Sequence, residues 1–274
     1  MGIRFTDDEL LFFKRNGFVI KRNVLKPELI AKAQEVFWAE APSQLVKDDP
    51  STWVGPFREE FEITVEDRAP GTDQRKGYRW NLRHIGEDDW MMDMIPRNPD
   101  LIGMAEQLLG AGNLVPPMRT RGIYTTLPRN DGAELDDHLH VDQHVFHLGI
   151  VAYLGKVVPG GGGFRVWPTS HRWFYNTFAS QYKGTQFNED QATTNRYLET
   201  KEFFETQPSV ECTGNTGDVV FWHHRLAHMA GHNTSDNLRQ AILYDFKKVD
   251  FDYTQELPPQ PNMWVDWPGL DRLD

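Results

Sequence analysis

A mainly β fold is expected, a sandwich or barrel-like core flanked by α-helices on its N-terminal side. Three observations predict it. After Gly110, short apolar runs of β-prone residues follow one another at 115–124, 138–146, 148–154, 163–167, 210–212, 218–222 and 240–246. Glycine- and proline-bearing turns separate them, as in Pro159-Gly160-Gly161-Gly162-Gly163 and Gly214-Asn215-Thr216-Gly217. Before Gly110, apolar residues instead recur mainly at helical spacing.

Thr6-Asp7-Asp8-Glu9 reads as a capping box that opens a helix from Asp7 to about Arg15, closed by Asn16-Gly17. Phe18-Val19-Ile20 reads as a strand that breaks at Asn23. Lys26-Pro27-Glu28 opens a second helix through Ala41, with Leu29, Ala33, Val36 and Phe37 on one face. Pro42, Pro50, Pro56, Pro70 and Gly71 punctuate residues 42–95, which read as irregular structure with short strands covering a pocket. Asn98-Pro99-Asp100 opens a third helix, whose Leu101, Met104, Ala105, Leu108 and Leu109 share a face as far as Gly110. Residues 172–207 read as a polar, partly helical insert, and Leu257-Pro258-Pro259-Gln260-Pro261 as an extended tail. One domain over 1–274 is expected, with a helical and irregular layer at 1–112, the β core at 113–250 and the tail at 251–274.

The 274 residues carry a formal net charge of −11 and no run of Lys or Arg. Phosphate backbones and anionic membrane surfaces need local positive charge, so nucleic-acid and membrane partners are not expected. The single cysteine, Cys212, precludes an intrachain disulfide and a cysteine-based zinc cluster, and it fits a cytoplasmic protein. It reads as a small buried apolar residue. The first residues are charged, with no signal-peptide apolar stretch, and no run is long enough for a membrane helix. Oligomeric state is not legible.

The chemistry begins at His140-Val141-Asp142 in the run 138–146. Side chains two apart on a strand share a face, so the imidazole and the carboxylate converge while Val141 points away. A third ligand from a distant strand would complete a face of two histidines and one carboxylate. That set leaves open positions and suits a non-haem iron(II) oxygenase.

Further along come Gly162-Gly163-Phe164-Arg165-Val166-Trp167-Pro168-Thr169-Ser170-His171, then Gly217-Asp218, His228, Gly231-His232-Asn233-Thr234-Ser235 and Arg239. In order and spacing these motifs, with His140-Val141-Asp142, resemble the phytanoyl-CoA dioxygenase family of iron(II)/2-oxoglutarate oxygenases. The resemblance covers most of the chain and is strongest over 138–246. It implies a double-stranded β-helix, a jelly-roll, cupin-like core, with iron held by His140, Asp142 and His228. It implies 2-oxoglutarate and O2 as cosubstrates, with Arg239 binding the 5-carboxylate through a planar, charge-assisted pair. Thr169 stands where the family usually has Gly, Ala230 where some members have Ser, and Val151 where some have Trp. Family halogenases lack the carboxylate ligand, so Asp142 argues against halogenation.

Tyr124 and Thr126 share a strand face and are candidate hydrogen-bond partners for 2-oxoglutarate, as is Gln143 after Asp142. His144 faces the same side as Asp142. His223, His224 and His232 are the substitutes should His228 not be the distal ligand, and most of the ten histidines, His138 and His147 among them, need not touch iron. Arg165 and Arg225 are candidate pocket cations. Arg79 is a candidate for a substrate anion and Trp80 for packing on substrate. The expected reaction is hydroxylation of a C–H bond in a small metabolite, with release of succinate and CO2. A non-oxidative metal-binding module and a zinc-type hydrolase are the alternatives.

Overall fold

The computed structural model describes residues 2–57, 77–133, 135, 137–182 and 191–273. Pro70 and Gly71, and residues 183–190 of the insert, lie outside them. Six antiparallel strands form the larger sheet: β1 (Phe18–Lys21), β2 (Arg79–Leu82), β3 (Ile123–Thr126), β4 (Leu148–Tyr153), β7 (Val219–His223) and β9 (Arg239–Phe246), in the order β1-β7-β4-β9-β3-β2. A smaller sheet, in the order β6-β5-β8, holds β5 (Phe164–Val166), β6 (Val210–Cys212) and β8 (His228–Ala230).

The central strands of the larger sheet are buried on both faces. Leu148, Ile150 and Ala152 of β4 enter a cluster beneath the helices, whereas Val151 and Tyr153 enter the cluster between the two sheets. In β7, Val219 and Phe221 go one way and Val220 and Trp222 the other. The two-residue period thus feeds two cores at once, and 148–154 reads as an unbroken apolar run for that reason. Phe164, Val166 and Cys212 close the inner core from the smaller sheet, so Cys212 is packing, and burial pushes its thiol pKa up.

The helical layer forms as its signals dictate. In α1 (Asp7–Asn16), Glu9 N donates to Thr6 Oγ1 at 3.2 Å and Thr6 N donates back to Glu9 Oε2 at 2.8 Å. Gly17 ends the helix at φ 81°, a left-handed conformation. α2 (Pro27–Glu40) buries Ala33 and Phe37, with Leu29 and Val36 packed beside them. α3 (Asp89–Met94) and α4 (Pro99–Leu109) complete the layer. On the far side, α5 (Ser170–Phe174) and α6 (Gln191–Glu205) of the insert cover the smaller sheet through Phe174, Tyr197 and Phe204.

Three expectations change. The run 138–146 is not a strand: only His140 pairs, through an isolated bridge to His228. The run 115–124 becomes a strand only at Ile123, because Pro116 and Pro117 have no amide to donate and Gly122 turns at φ 80°. The strand expected at Phe18–Ile20 and a short strand expected within 42–95 do form, as β1 and β2 at the two edges of the larger sheet. The tail past residue 250 forms α7 (Phe251–Thr254) and α8 (Pro268–Asp271) and buries Trp264, Trp267 and Leu270 in the helix-side core. Residues 257–261 themselves carry neither helix nor strand, as their prolines suggest; the change lies after them, where the large rings fold back.

Candidate active site

Backbone pairing brings the distant ligands together. His140 N donates to His228 O at 3.1 Å, and His228 N donates to His140 O at 2.9 Å. β8 in turn lies on β5, with His228 opposite Val166. The two imidazoles end with ring centroids 4.5 Å apart. Asp142 lies beside both, with Oδ1 3.7 Å from His140 Nε2 and Oδ2 3.6 Å from His228 Nε2. One ligand atom from each residue lies within 4.8 Å of the others, so the three could hold a metal ion. Bonds of about 2.0–2.2 Å need only small side-chain adjustments.

Second contacts orient the donors. His228 Nδ1 donates to Leu226 O at 2.8 Å, which leaves Nε2 as the free donor toward Asp142. Phe164 and Trp222 pack at 5.1 and 5.8 Å from the His228 ring. Burial alone would raise the Asp142 carboxyl, but His228, His140 and His144 beside it hold it well below the usual carboxylate range. Asp142 is therefore an anion at neutral pH.

The three residues open on a cavity of about 240 Å³ that also presents Arg239. Arg239 begins β9 opposite Thr126 and is nearly fully buried. Among the described residues its Nε has no hydrogen-bond partner, and its guanidinium sits 5.9 Å from the Tyr153 ring. Burial pushes the Arg239 pKa down, but from so high a value that it stays a cation. A buried guanidinium that lines a cavity and has an N–H unpartnered among the described residues is a receptor for an anion.

The comparisons agree with this chemistry. A family model described as phytanoyl-CoA dioxygenase (PhyH) matches residues 13–241. The chain belongs to the phytanoyl-CoA dioxygenase family. The solved structures most similar to this family member include a non-haem α-ketoglutarate-dependent carbocyclase, SnoK, from nogalamycin biosynthesis (18% identity, 94% of this chain and 95% of that chain, TM-score 0.57). Also similar is EctD from S. alaskensis with bound Fe (15% identity, 95% and 82% coverage, TM-score 0.54). A form of EctD with 2-oxoglutarate and 5-hydroxyectoine matches too (17% identity, 91% and 78% coverage, TM-score 0.52). At these identities the likeness is one of fold, the cupin-like jelly roll. No curated protein matches the chain in a sequence search.

Membership makes this phytanoyl-CoA dioxygenase-family chain an oxygenase-type enzyme acting on a small molecule, with iron(II), 2-oxoglutarate and O2 as its cofactor set. The residues present fit that set. Two imidazoles and a carboxylate on one wall suit iron(II), and the orphaned Arg239 Nε suits a cosubstrate carboxylate. Among the described residues no helix is long and apolar enough to cross a membrane.

The remaining candidates divide. Tyr124 and Thr126 line the cavity, as do Arg79 and His140. Gln143 does not: it is exposed and off the cavity wall, because the residue after Asp142 in an extended chain points the other way. Trp80 points into the helix-side core, opposite to Arg79 and Asn81 on the same strand. Arg165 lies outside the cavity, 3.4 Å from Asp137. Arg225 is buried elsewhere, donating to Ser180 O and Gln181 O. His223 and His224 are fully enclosed away from the cavity, and His138 and His232 are not on its wall.

The family motifs acquire physical meanings. Thr169 adopts φ 71°, the left-handed conformation that favours the glycine usual at that position. Ser170 Oγ accepts from Ala227 N at 2.9 Å and so fixes the turn before His228. Asn233 Nδ2 donates to Thr126 O and Asn237 O, tying the turn ahead of Arg239 to β3. Ala230 and Val151 both line the cavity as apolar wall. Sequence reading missed Tyr153, whose hydroxyl donates to Cys212 O at 2.6 Å beneath Arg239. It also missed Arg83 and Arg121 on the cavity wall. Isolated arginines outside a motif carry no signal.

Proposed function

We propose that this chain hydroxylates a C–H bond of a small cytoplasmic metabolite, with iron(II) held by His140, Asp142 and His228 and the 5-carboxylate of 2-oxoglutarate held by Arg239. The observation that carries the reading is the juxtaposition of two imidazoles, one carboxylate and a buried, unsatisfied guanidinium around one cavity. Iron(II), when bound, would supply the oxidising chemistry by which C–H, O2 and 2-oxoglutarate become C–OH, succinate and CO2.

The protein's own residues bind, orient and exclude water. The Leu226 carbonyl fixes the His228 tautomer, and the anionic Asp142 sets the charge of the ligand wall. Arg239 can grip a carboxylate through two parallel N–H donors, and burial keeps competing water away. Val151, Phe164, Trp222 and Leu243 form the apolar side of the cavity, where a C–H bond is held and water excluded. Family halogenases lack the carboxylate ligand that Asp142 would provide, so halogenation is not proposed. A single cysteine, buried in the core, supports a reducing compartment.

Anaerobic addition of iron(II) and 2-oxoglutarate tests the reading. A visible charge-transfer band and slow substrate-free succinate formation on admitting air are expected. A metal-binding module or a zinc-type hydrolase would give neither, and their joint absence would reject the oxygenase assignment.

A further inference from the structure

We propose that the substrate of this site carries an oxyanion, a carboxylate or a phosphate monoester, and that Arg83 at the cavity mouth binds it. The proposal rests on the oxygenase reading and narrows its substrate class. The 240 Å³ cavity adjoins an outer groove of about 620 Å³, and the two share Arg83, Arg121 and Tyr124. Any molecule that reaches the His140–Asp142–His228 wall along this groove passes these three residues.

The charge along the route is reversed relative to the rest of the chain. The protein carries a formal −11, yet the groove wall presents Arg83, Arg119, Arg121 and Lys247 against the single carboxylate of Asp245. Two of the four are occupied. Arg121 clasps Asp245 Oδ2 through Nε at 3.0 Å and Nη2 at 2.6 Å, and Arg119 Nη1 lies 3.3 Å from Glu87. Arg83 is different. Among the described residues it forms no ion pair, and its guanidinium is held over the Tyr124 ring at 5.3 Å. Arg83 and Tyr124 both line the inner cavity as well as the outer groove, so the guanidinium lies where the two spaces meet.

A concave, basic surface on an acidic protein draws anions toward it and repels cations. A planar guanidinium pairs with a carboxylate or phosphate through two charge-assisted hydrogen bonds. Arg239 is kept by burial for the cosubstrate, deep in the cavity. Of the two groove cations without an ion pair among the described residues, Lys247 lines only the outer groove, with its Nζ 5.4 Å from the Phe251 ring, whereas the exposed Arg83 lines both spaces and is the one placed for the substrate itself. The apolar stretch between the two, with Val151, Phe164, Trp222 and Leu243, takes the carbon skeleton.

Isothermal titration of the metal-free 274-residue chain tests this with four probes of one ring and different heads: benzoate, phenyl phosphate, benzyl alcohol and benzylamine. At least one of the two anions is expected to bind, and the alcohol and amine to bind at least tenfold more weakly. The tighter anion tells carboxylate from phosphate. Arg83→Gln is expected to weaken the bound anion by at least about tenfold, with Arg83→Lys intermediate. The Arg239→Gln chain should bind the same probe within about twofold of the parent. The melting temperature of each variant reports that it folds; Arg83 is exposed, so its replacement is not expected to unfold the chain. Equal binding of anion and alcohol, no binding of either anion at millimolar concentration, or loss of anion binding in Arg239→Gln but not Arg83→Gln would overturn the proposal. None of these depends on iron, so they are separable from failure of the charge-transfer test.

Discussion

His140 and His228 border a cavity beside an anionic carboxylate, whereas His147, His171, His223 and His224 are enclosed among aromatic rings without any opening to that cavity. His223 stacks on Trp267 at 4.9 Å, His147 meets Tyr182 at 4.2 Å, and His171 meets Trp264 at 5.7 Å. The cations facing this cluster are Arg172, Arg225, Lys247 and Lys248. Burial pushes all four histidines below their ordinary value, His171 to about 3. One residue type thus borders the candidate metal site in one region and serves as neutral packing in the other. His223, His224 and His228 are separated by only a few positions, so the neighbours decide, not the residue.

Substitutions should separate the two regions. The largest effect is expected at Asp142→Ala, which removes the anion between the two imidazoles. Iron affinity should fall by more than roughly 100-fold, with succinate formation lost, since even contacts one shell further out cost about 10–100-fold. Metal titration and a coupled succinate assay check this. Arg239→Gln should leave iron binding intact and raise the KM for 2-oxoglutarate by roughly 30-fold or more, the usual cost of truncating a buried charge pair being about 2–5 kcal/mol. Steady-state kinetics with iron-loaded protein decide it.

On the other side of the comparison, His223→Ala should leave iron affinity unchanged and cost about 2–4 kcal/mol of stability through the cavity it opens. Chemical denaturation measures the cost. The pH dependence follows from the same cluster. Each folded-state value is depressed, so the unfolded chain binds protons that the folded chain does not. Stability is complete above the ordinary histidine value of 6.5 and falls as pH drops, for His171 through the window from 6.5 toward about 3. Each such histidine contributes at most about 1.4 kcal/mol per pH unit there. Melting temperatures between pH 7.5 and 5 should fall, and more shallowly in His223→Ala. The smallest effect is expected at Thr169→Gly, which relieves the left-handed backbone ahead of His171. It should raise stability by up to about 1 kcal/mol without touching metal affinity.

Much of this was legible in the sequence. His140 and Asp142 could be paired by their spacing, and the motif around His228 and Arg239 named the rest through its resemblance. The cap at Thr6, the apolar face of α4 and the double-sided burial of 148–153 also follow from local pattern. What was not legible depends on contacts distant in the chain. No local signal shows that His140 needs only one bridge to β8 rather than a strand, or that Trp267 folds back under α1. Arg83 and Arg121 lie in no motif; only the pairing of β2 with β3 and of β3 with β9 brings them to the cavity. Gln143 differs in the opposite way: nearness in sequence to Asp142 suggested a place in the site, whereas its side chain is exposed and off the cavity wall.

The most direct measurement is a crystal structure of the chain loaded anaerobically with iron(II) and 2-oxoglutarate, the metal located by its anomalous scattering. The account predicts one iron bound by His140 Nε2, His228 Nε2 and an Asp142 oxygen, with the distal carboxylate of 2-oxoglutarate on Arg239. Iron among His147, His223 and His224, or a cosubstrate carboxylate that bypasses Arg239, would contradict it.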